Sequence, residues 1–254
     1  MTKEIWMEHM TWQEIKEAIQ EGYDTVLLIA GSIEQHGPHL PLGTDTILGY
    51  AMADTIAQKM GKTLVAPVVR PGLSEHHMHF SGSLTLSKPT FQAMVSEIVN
   101  SLVRHGFKRI AITYSHGGNE SALAEIMPRL AKAYPQVDIL TVTDKNAFSS
   151  PVKEILEADG ITPEQMGVHA GEMETSMMLA WRENAVRMNK REQGFLADFN
   201  KEGEKLSAAL AEGLHTLTPN GVLGDSRLAD KARGQKYLDA VAAHFAAHLV
   251  KVQP

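Results

Sequence analysis

Thr25-Val26-Leu27-Leu28-Ile29-Ala30, closed by Gly31, is an almost unbroken apolar run, and its reading decides the fold class. A strand with one wet face alternates apolar and polar residues, whereas a strand covered on both faces does not. The same character returns in Leu64-Val65-Ala66-Pro67-Val68-Val69, in Arg109-Ile110-Ala111-Ile112-Thr113-Tyr114 and in Val137-Asp138-Ile139-Leu140-Thr141-Val142. Pro67 assigns the second of these to an edge or an end, because proline cannot donate to a ladder. Between the strands the apolar period lengthens. Ser87 caps a segment with Pro89 in its first turn and Phe91, Val95, Ile98 and Leu102 on one face. Residues 46–60 and 120–133 also read as helices, and residues 236–250 place Leu238, Val241, Phe245 and Leu249 on one stripe. Such alternation predicts an α/β fold, a three-layer α/β/α sandwich around a mostly parallel sheet. No repeat or linker divides the chain, so residues 1–254 read as a single domain.

Apolar residues make up 43% of the 254, enough for a sizeable core. The formal charge of −6 and the lack of any Lys/Arg run argue against nucleic acid as a partner. The apolar runs are too short to span a membrane, and residues 1–6 lack the basic and apolar regions of a signal peptide. The expectation is a cytoplasmic protein acting on a small molecule. With no cysteine in the chain, any metal must be held by histidine and carboxylate.

In open α/β sheets, ligands bind beyond the carboxyl ends of the strands. The first strand ends in Gly31-Ser32-Ile33-Glu34-Gln35-His36-Gly37-Pro38, and Asp45 follows where a helix opens. Glu34 and His36 project to the same side of an extended backbone. Together with Asp45 they make a ligand set suited to Zn²⁺, Mn²⁺ or Fe²⁺. The blander reading is a helix-capping Asp45, a solvated Glu34 and a loop histidine. Ser32 lacks the Gly-x-Ser-x-Gly surroundings of a nucleophile. The third strand ends in Ser115-His116-Gly117-Gly118-Asn119, a second strand-end histidine, with Asn119 placed to cap the next helix.

Val168-His169-Ala170-Gly171-Glu172-Met173-Glu174-Thr175-Ser176 opens a helix on whose stripe Met173, Met177, Ala180 and Trp181 recur. Glu174 borders that stripe and needs a partner such as a metal, whereas Glu172 points elsewhere; the alternative is that both merely favour a helix amino end. Glu75 and His76 are expected to support the site or shape its pocket, with His77 and His79 at the surface.

These segments, together with Gly221-Val222-Leu223-Gly224-Asp225, resemble the creatininase family along nearly the whole chain. The resemblance implies a metal-dependent hydrolase that cleaves amide-type C–N bonds with metal-activated water, using two divalent ions per subunit. In that pattern Asp45 bridges the metals, Glu34 and His116 complete one site and His36 serves the other. Gly117 and Gly118 border the substrate, with Glu75 and His76 beside them. His169, with Glu172, is the catalytic candidate, passing a proton to the leaving nitrogen. Family members are commonly homo-oligomers, often hexamers. Two departures stand out. A family glutamate ligand is replaced here by Gly118, so either Glu174 takes over or the second site is weaker. The only tryptophans are Trp6, Trp12 and Trp181, none in the 144–168 stretch where creatinine would need them. Related activities on this fold include opening of formamides, cleavage of a modified peptide and hydrolysis of a keto-inositol ring. The rival from another class is a non-catalytic, metal-stabilised binding protein.

Overall fold

Alternation of side chains along β1 (Thr25–Ala30) sends Val26, Leu28 and Ala30 to one face of a sheet and Leu27 and Ile29 to the other. Both faces are buried, so both must be covered by helices. The structure, a computed structural model, describes residues 4–142, 146–196 and 199–253, the side chains of 199–202 and 250 excepted. Residues 1–3 of the amino-terminal reading and Asp144, where the pocket-wall stretch begins, lie outside the described residues.

In chain order the main elements are α1 (Trp12–Gln20), β1, α2 (Thr44–Met60), β2 (Thr63–Val65), α3 (Lys88–Arg104), β3 (Arg109–Tyr114), α4 (Glu120–Ala133) and β4 (Asp138–Val142). They continue with α5 (Lys153–Asp159), α6 (Pro163–Met166), α7 (Glu172–Arg182), α8 (Phe199–Glu212), α9 (Lys231–Ala247) and β5 (Leu249–Lys251). The sheet order is β2-β1-β3-β4-β5, with the first four strands parallel and β5 antiparallel to β4. One core packs α2, α7 and α9 against the sheet, and the other packs α1, α3 and α4 on the opposite face. This is the three-layer α/β arrangement that the strand pattern predicts.

Local chemistry sets several boundaries. The Ser87 side chain accepts from Thr90 N and starts α3 with Pro89 in its first turn. Pro67 stops β2 early, and the chain rejoins β1 only through a bridge between Val69 and Ala30. The carboxyl-terminal stripe is the clearest departure. Leu249 falls on the helical period, yet α9 ends at Ala247 and residues 249–251 turn back to pair with β4. The free edge of β4 and the β-branched Val250 and Val252 win over the period, and Val252 N donates to Ile139 O at 2.9 Å. Trp181, expected on the buried stripe of α7, is 46% exposed.

Candidate metal centre

The strand order reverses between β1 and β3, and in such sheets the crevice forms at that switch point, beyond the carboxyl ends. The loop leaving β1 carries Glu34 and His36 and leads to Asp45 in the first turn of α2. The loop leaving β3 carries His116. Glu174 comes from the first turn of α7, His169 from the loop before it, and His76 and His77 from a single 3-10 turn at Glu75–His77. Glu34, His36, Asp45, His77, His116 and His169 are all buried.

Asp45 lies between two histidines, with Oδ1 3.3 Å from His36 Nε2 and Oδ2 3.5 Å from His116 Nδ1. Glu34 Oε1 is 3.3 Å from His116 Nδ1 and 3.6 Å from His169 Nδ1. Glu174 Oε2 is 3.8 Å from His36 Nε2. The outer nitrogens fix the ring tautomers. His36 Nδ1 donates to Glu34 O at 3.1 Å, His116 Nε2 to Leu73 O at 3.0 Å and His169 Nε2 to Gln35 O at 2.7 Å. Each ring thus turns its other nitrogen inward, as metal-ligating histidines do when a backbone carbonyl holds the outer N–H. His77 is set the other way: the Gln35 amide donates to its Nδ1 at 2.9 Å, so Nε2 carries the proton and faces Glu34 Oε1 at 3.3 Å. Ser74 Oγ donates to the other Glu34 oxygen at 2.6 Å.

Three carboxylates and so few fixed cations leave the cluster short of positive charge. Burial opposes a charge on His36, but Asp45, then Glu174 and Glu34, outweigh it and push the ring up to about 10. Burial also opposes charge on His116, and Glu34 with Asp45 raises it to about 9. Burial raises Glu174 to about 7, against the pull of His36. Burial likewise works against the Glu34 charge, yet His116, His77 and His169 hold its carboxyl well below the usual range. Burial and the neighbouring His36 and His77 drive His169 well down, so it stays neutral. His36 Nε2 and Asp45 Oδ2 are buried and have no hydrogen-bond partner. Orphaned lone pairs among crowded carboxylates are what a divalent cation would satisfy. Two candidate triads, Glu34-Asp45-His116 and His36-Asp45-Glu174, share Asp45. The residues present therefore fit a divalent metal centre.

Other expected residues fall elsewhere. Glu172, expected beside His169 in catalysis, is fully buried on the far side of α7. Its Oε1 accepts from Arg233 Nε and Ser176 Oγ, both at 2.7 Å, and its Oε2 accepts from Tyr237 Oη at 3.0 Å. It joins α7 to α9, because residues two apart on a helix cannot share a face. Glu75 is exposed on its 3-10 turn, while His76 stacks on the His116 ring at 6.0 Å. Gly117 lines the cavity next to the cluster. Gly118 instead lies under His116: a Cβ there would stand 2.3 Å from Nε2 and 2.5 Å from Leu73 O. No glutamate fits at 118 in this chain, because the histidine's own outer hydrogen bond occupies the space.

Asn119 does not cap α4 with its side chain. It laces loops together, donating to Gly31 O at 3.0 Å and accepting from Leu73 N at 3.0 Å. His77 is buried, not a surface residue, whereas His79 is exposed and stacked on His215. His39, which follows Pro38 in the loop after β1, is buried and ties that loop to α7 through Thr175 Oγ1 at 2.8 Å. Gly224 lets residues 221–225 lie against Gly167 and Gly171, and the bridge from Leu223 to His169 holds the loop before α7.

A family model described as creatininase, creatinine amidohydrolase, matches residues 8–249. The chain belongs to the creatininase family. It is thus a metal-dependent amidohydrolase by descent. The mycofactocin precursor peptide peptidase of Mycolicibacterium smegmatis is 29% identical over 234 residues, which are 90% of this chain and 85% of that protein. The 3-dehydro-scyllo-inosose hydrolase of Thermotoga maritima is 25% identical over 251 residues, 93% of this chain and 80% of its own. A solved mutant creatininase shares the fold with a TM-score of 0.80, at 22% identity, over 96% of this chain and 97% of that one. Membership in the creatininase family and the position of the cluster at the sheet's switch point agree.

Proposed function

We propose that this creatininase-family protein cleaves an amide-type C–N bond in a small substrate, with Glu34, Asp45 and His116 holding one divalent ion and His36, Asp45 and Glu174 a second. The observation that carries the reading is that His36, His116 and His169 each have one ring nitrogen held by a backbone carbonyl and the other turned toward buried carboxylates, where a cation would replace a proton. When bound, such ions polarise a carbonyl and make a nucleophile available near neutral pH. Zn²⁺, Mn²⁺ and Fe²⁺ all suit these ligands.

The chain's own residues supply the rest. Asp45 offers one oxygen to each half of the cluster. Glu34 keeps its charge because His116, with His77 and His169, faces it, and the Ser74 hydroxyl holds its orientation. His169 begins neutral with its Nε2 proton committed to Gln35 O, so Nδ1 is free to take a proton during attack on the carbonyl. Returning that proton to the leaving nitrogen completes the reaction. Relatives named for a peptide peptidase and for an inosose hydrolase set the range of small substrates to compare.

The test is hydrolysis of a panel of cyclic amides, formamides and short amides by protein loaded with each metal in turn. Turnover that disappears with a chelator and returns with metal is expected. His169→Ala should lower turnover severely and keep its metal; loss of metal from that variant would make His169 a ligand instead. A metal-loaded protein inert toward the whole panel would contradict the reading.

A further inference from the structure

Glu174 belongs to two environments at once. Its carboxylate faces His36 on one side and, on the other, lines a cavity of about 480 Å³. Ser115 and Gly117, the neighbours of His116, line the same cavity, so it adjoins the cluster, with Glu174 common to both. Its remaining wall is dominated by Met52, Tyr114, Phe148, Met166, Met173 and Met177. Among the described residues, no Lys, Arg or His lines it, and Glu120 adds a second carboxylate beside Glu174. Arg70, the basic residue closest to the sequence motifs, is exposed and not part of the wall.

We infer that the substrate carries, next to the C–N bond that is cut, a bulky, uncharged apolar group that fills this cavity. The inference rests on reading the cluster as the hydrolytic centre and names its substrate class. A formyl group or a small polar ring would leave most of the space to water against thioether and ring carbon. A phosphate or carboxylate carried away from the ions would meet the Glu120 carboxylate and no Lys, Arg or His side chain in the wall, so repulsion would have nothing there to offset it. A polyhydroxylated ring would find Ser115, Asn146 and Ser149 in the wall, but most of its hydroxyls would give up water against thioether and ring carbon. Methionine side chains are unbranched and polarizable, so they mould to aliphatic and aromatic groups alike.

The experiment is calorimetric titration of manganese-loaded protein with four hydroxamates that chelate the ion and differ only in the tail: acetyl, 4-methylpentanoyl, phenylacetyl and succinyl, the last ending in a carboxylate. Burying apolar carbon is worth about fourfold in affinity per methylene. The 4-methylpentanoyl and phenylacetyl compounds should therefore bind at least about tenfold tighter than the acetyl one, and the succinyl compound no tighter than it. Phe148→Ala should erase most of the gain for the phenylacetyl tail. A flat series, or a preference for the carboxylate tail, would overturn the inference. The matching amides, assayed for hydrolysis, separate the two claims. Hydrolysis without tail dependence keeps the functional reading and defeats this inference; tail-dependent binding without hydrolysis does the reverse. Failure of every hydroxamate to bind would remove the metal centre on which both rest.

Discussion

Glu172 and Glu174 stand two residues apart in the first turn of α7 and have opposite surroundings. Glu172 faces α9, whose Arg233 and Tyr237 donate to it, and Ser176 of its own helix donates as well. Glu174 faces the cluster, where its protein hydrogen bond comes from Ala170 N at 2.5 Å and its other close neighbours include Asp45 and Glu34. One carboxylate has both oxygens hydrogen-bonded, by three donors in all. The other is crowded by like charge and displaced upward in pKa to about 7. The difference teaches that acidity in a sequence motif does not assign a role; the partner available on each helix face does. A satisfied buried pair holds a structure together, and an unsatisfied one waits for a ligand.

That contrast can be broken most forcefully at Arg233. Arg233→Met leaves Glu172 buried and charged without its guanidinium, which should cost about 3–5 kcal/mol of stability. Chemical unfolding measures it, and adding Glu172→Gln to the variant should recover part of the loss. A change below about 1 kcal/mol would mean that the pair contributes little to holding α7 on α9.

Next in size is the close approach at Gly118. Gly118→Ala should push His116 off the Leu73 carbonyl, costing about 1–3 kcal/mol as a buried group loses its partner. Metal affinity should fall about 10–100-fold with it. Gly117→Ala, where nothing stands within 4 Å of the added carbon, should change stability little and serves as the control.

Tyr237→Phe removes one of the donors to Glu172 and should cost about 1 kcal/mol at neutral pH. The same residue gives a signature in alkali. Burial, and then the Glu172 charge, hold its hydroxyl protonated well above the ordinary phenol range. Folding therefore favours the protonated form. The contribution is complete below about pH 10, the unfolded value, and is lost as pH rises beyond it. The parent should lose stability above pH 10 more steeply than Tyr237→Phe when unfolding is followed across that range.

Much of this arrangement is legible in the sequence, for identifiable reasons. β1 and β3 show because both their faces are buried, and α4 shows because its apolar period is unbroken from Ala122 to Ala131. Glu34, His36, Asp45 and His116 show because each lies at a strand end or helix start on one edge of the sheet. Partners distant in the chain do not show. Glu172 is answered by Arg233, which shares a four-residue spacing with the buried Tyr237, Val241 and Phe245. A cation on that buried stripe is the signal that could have revealed the pair. His77 looks no different from His79 in sequence; the turn of a short 3-10 segment buries one and exposes the other. The cavity wall is assembled from α2, β3, α6, α7 and residues 146–149, so no local pattern announces it.

The smallest effect on stability and the largest on the site belong to Glu174. Glu174→Gln relieves like-charge crowding, so the metal-free protein should be as stable as the parent or slightly more so. Metal content per chain, measured on protein purified without added metal for the parent, Glu174→Gln and Glu172→Gln, tests the central claim most directly. The account predicts about two ions in the parent and in Glu172→Gln, and about one in Glu174→Gln, in line with the two triads that share Asp45. Two ions retained in Glu174→Gln, or none taken up by the parent, would contradict it.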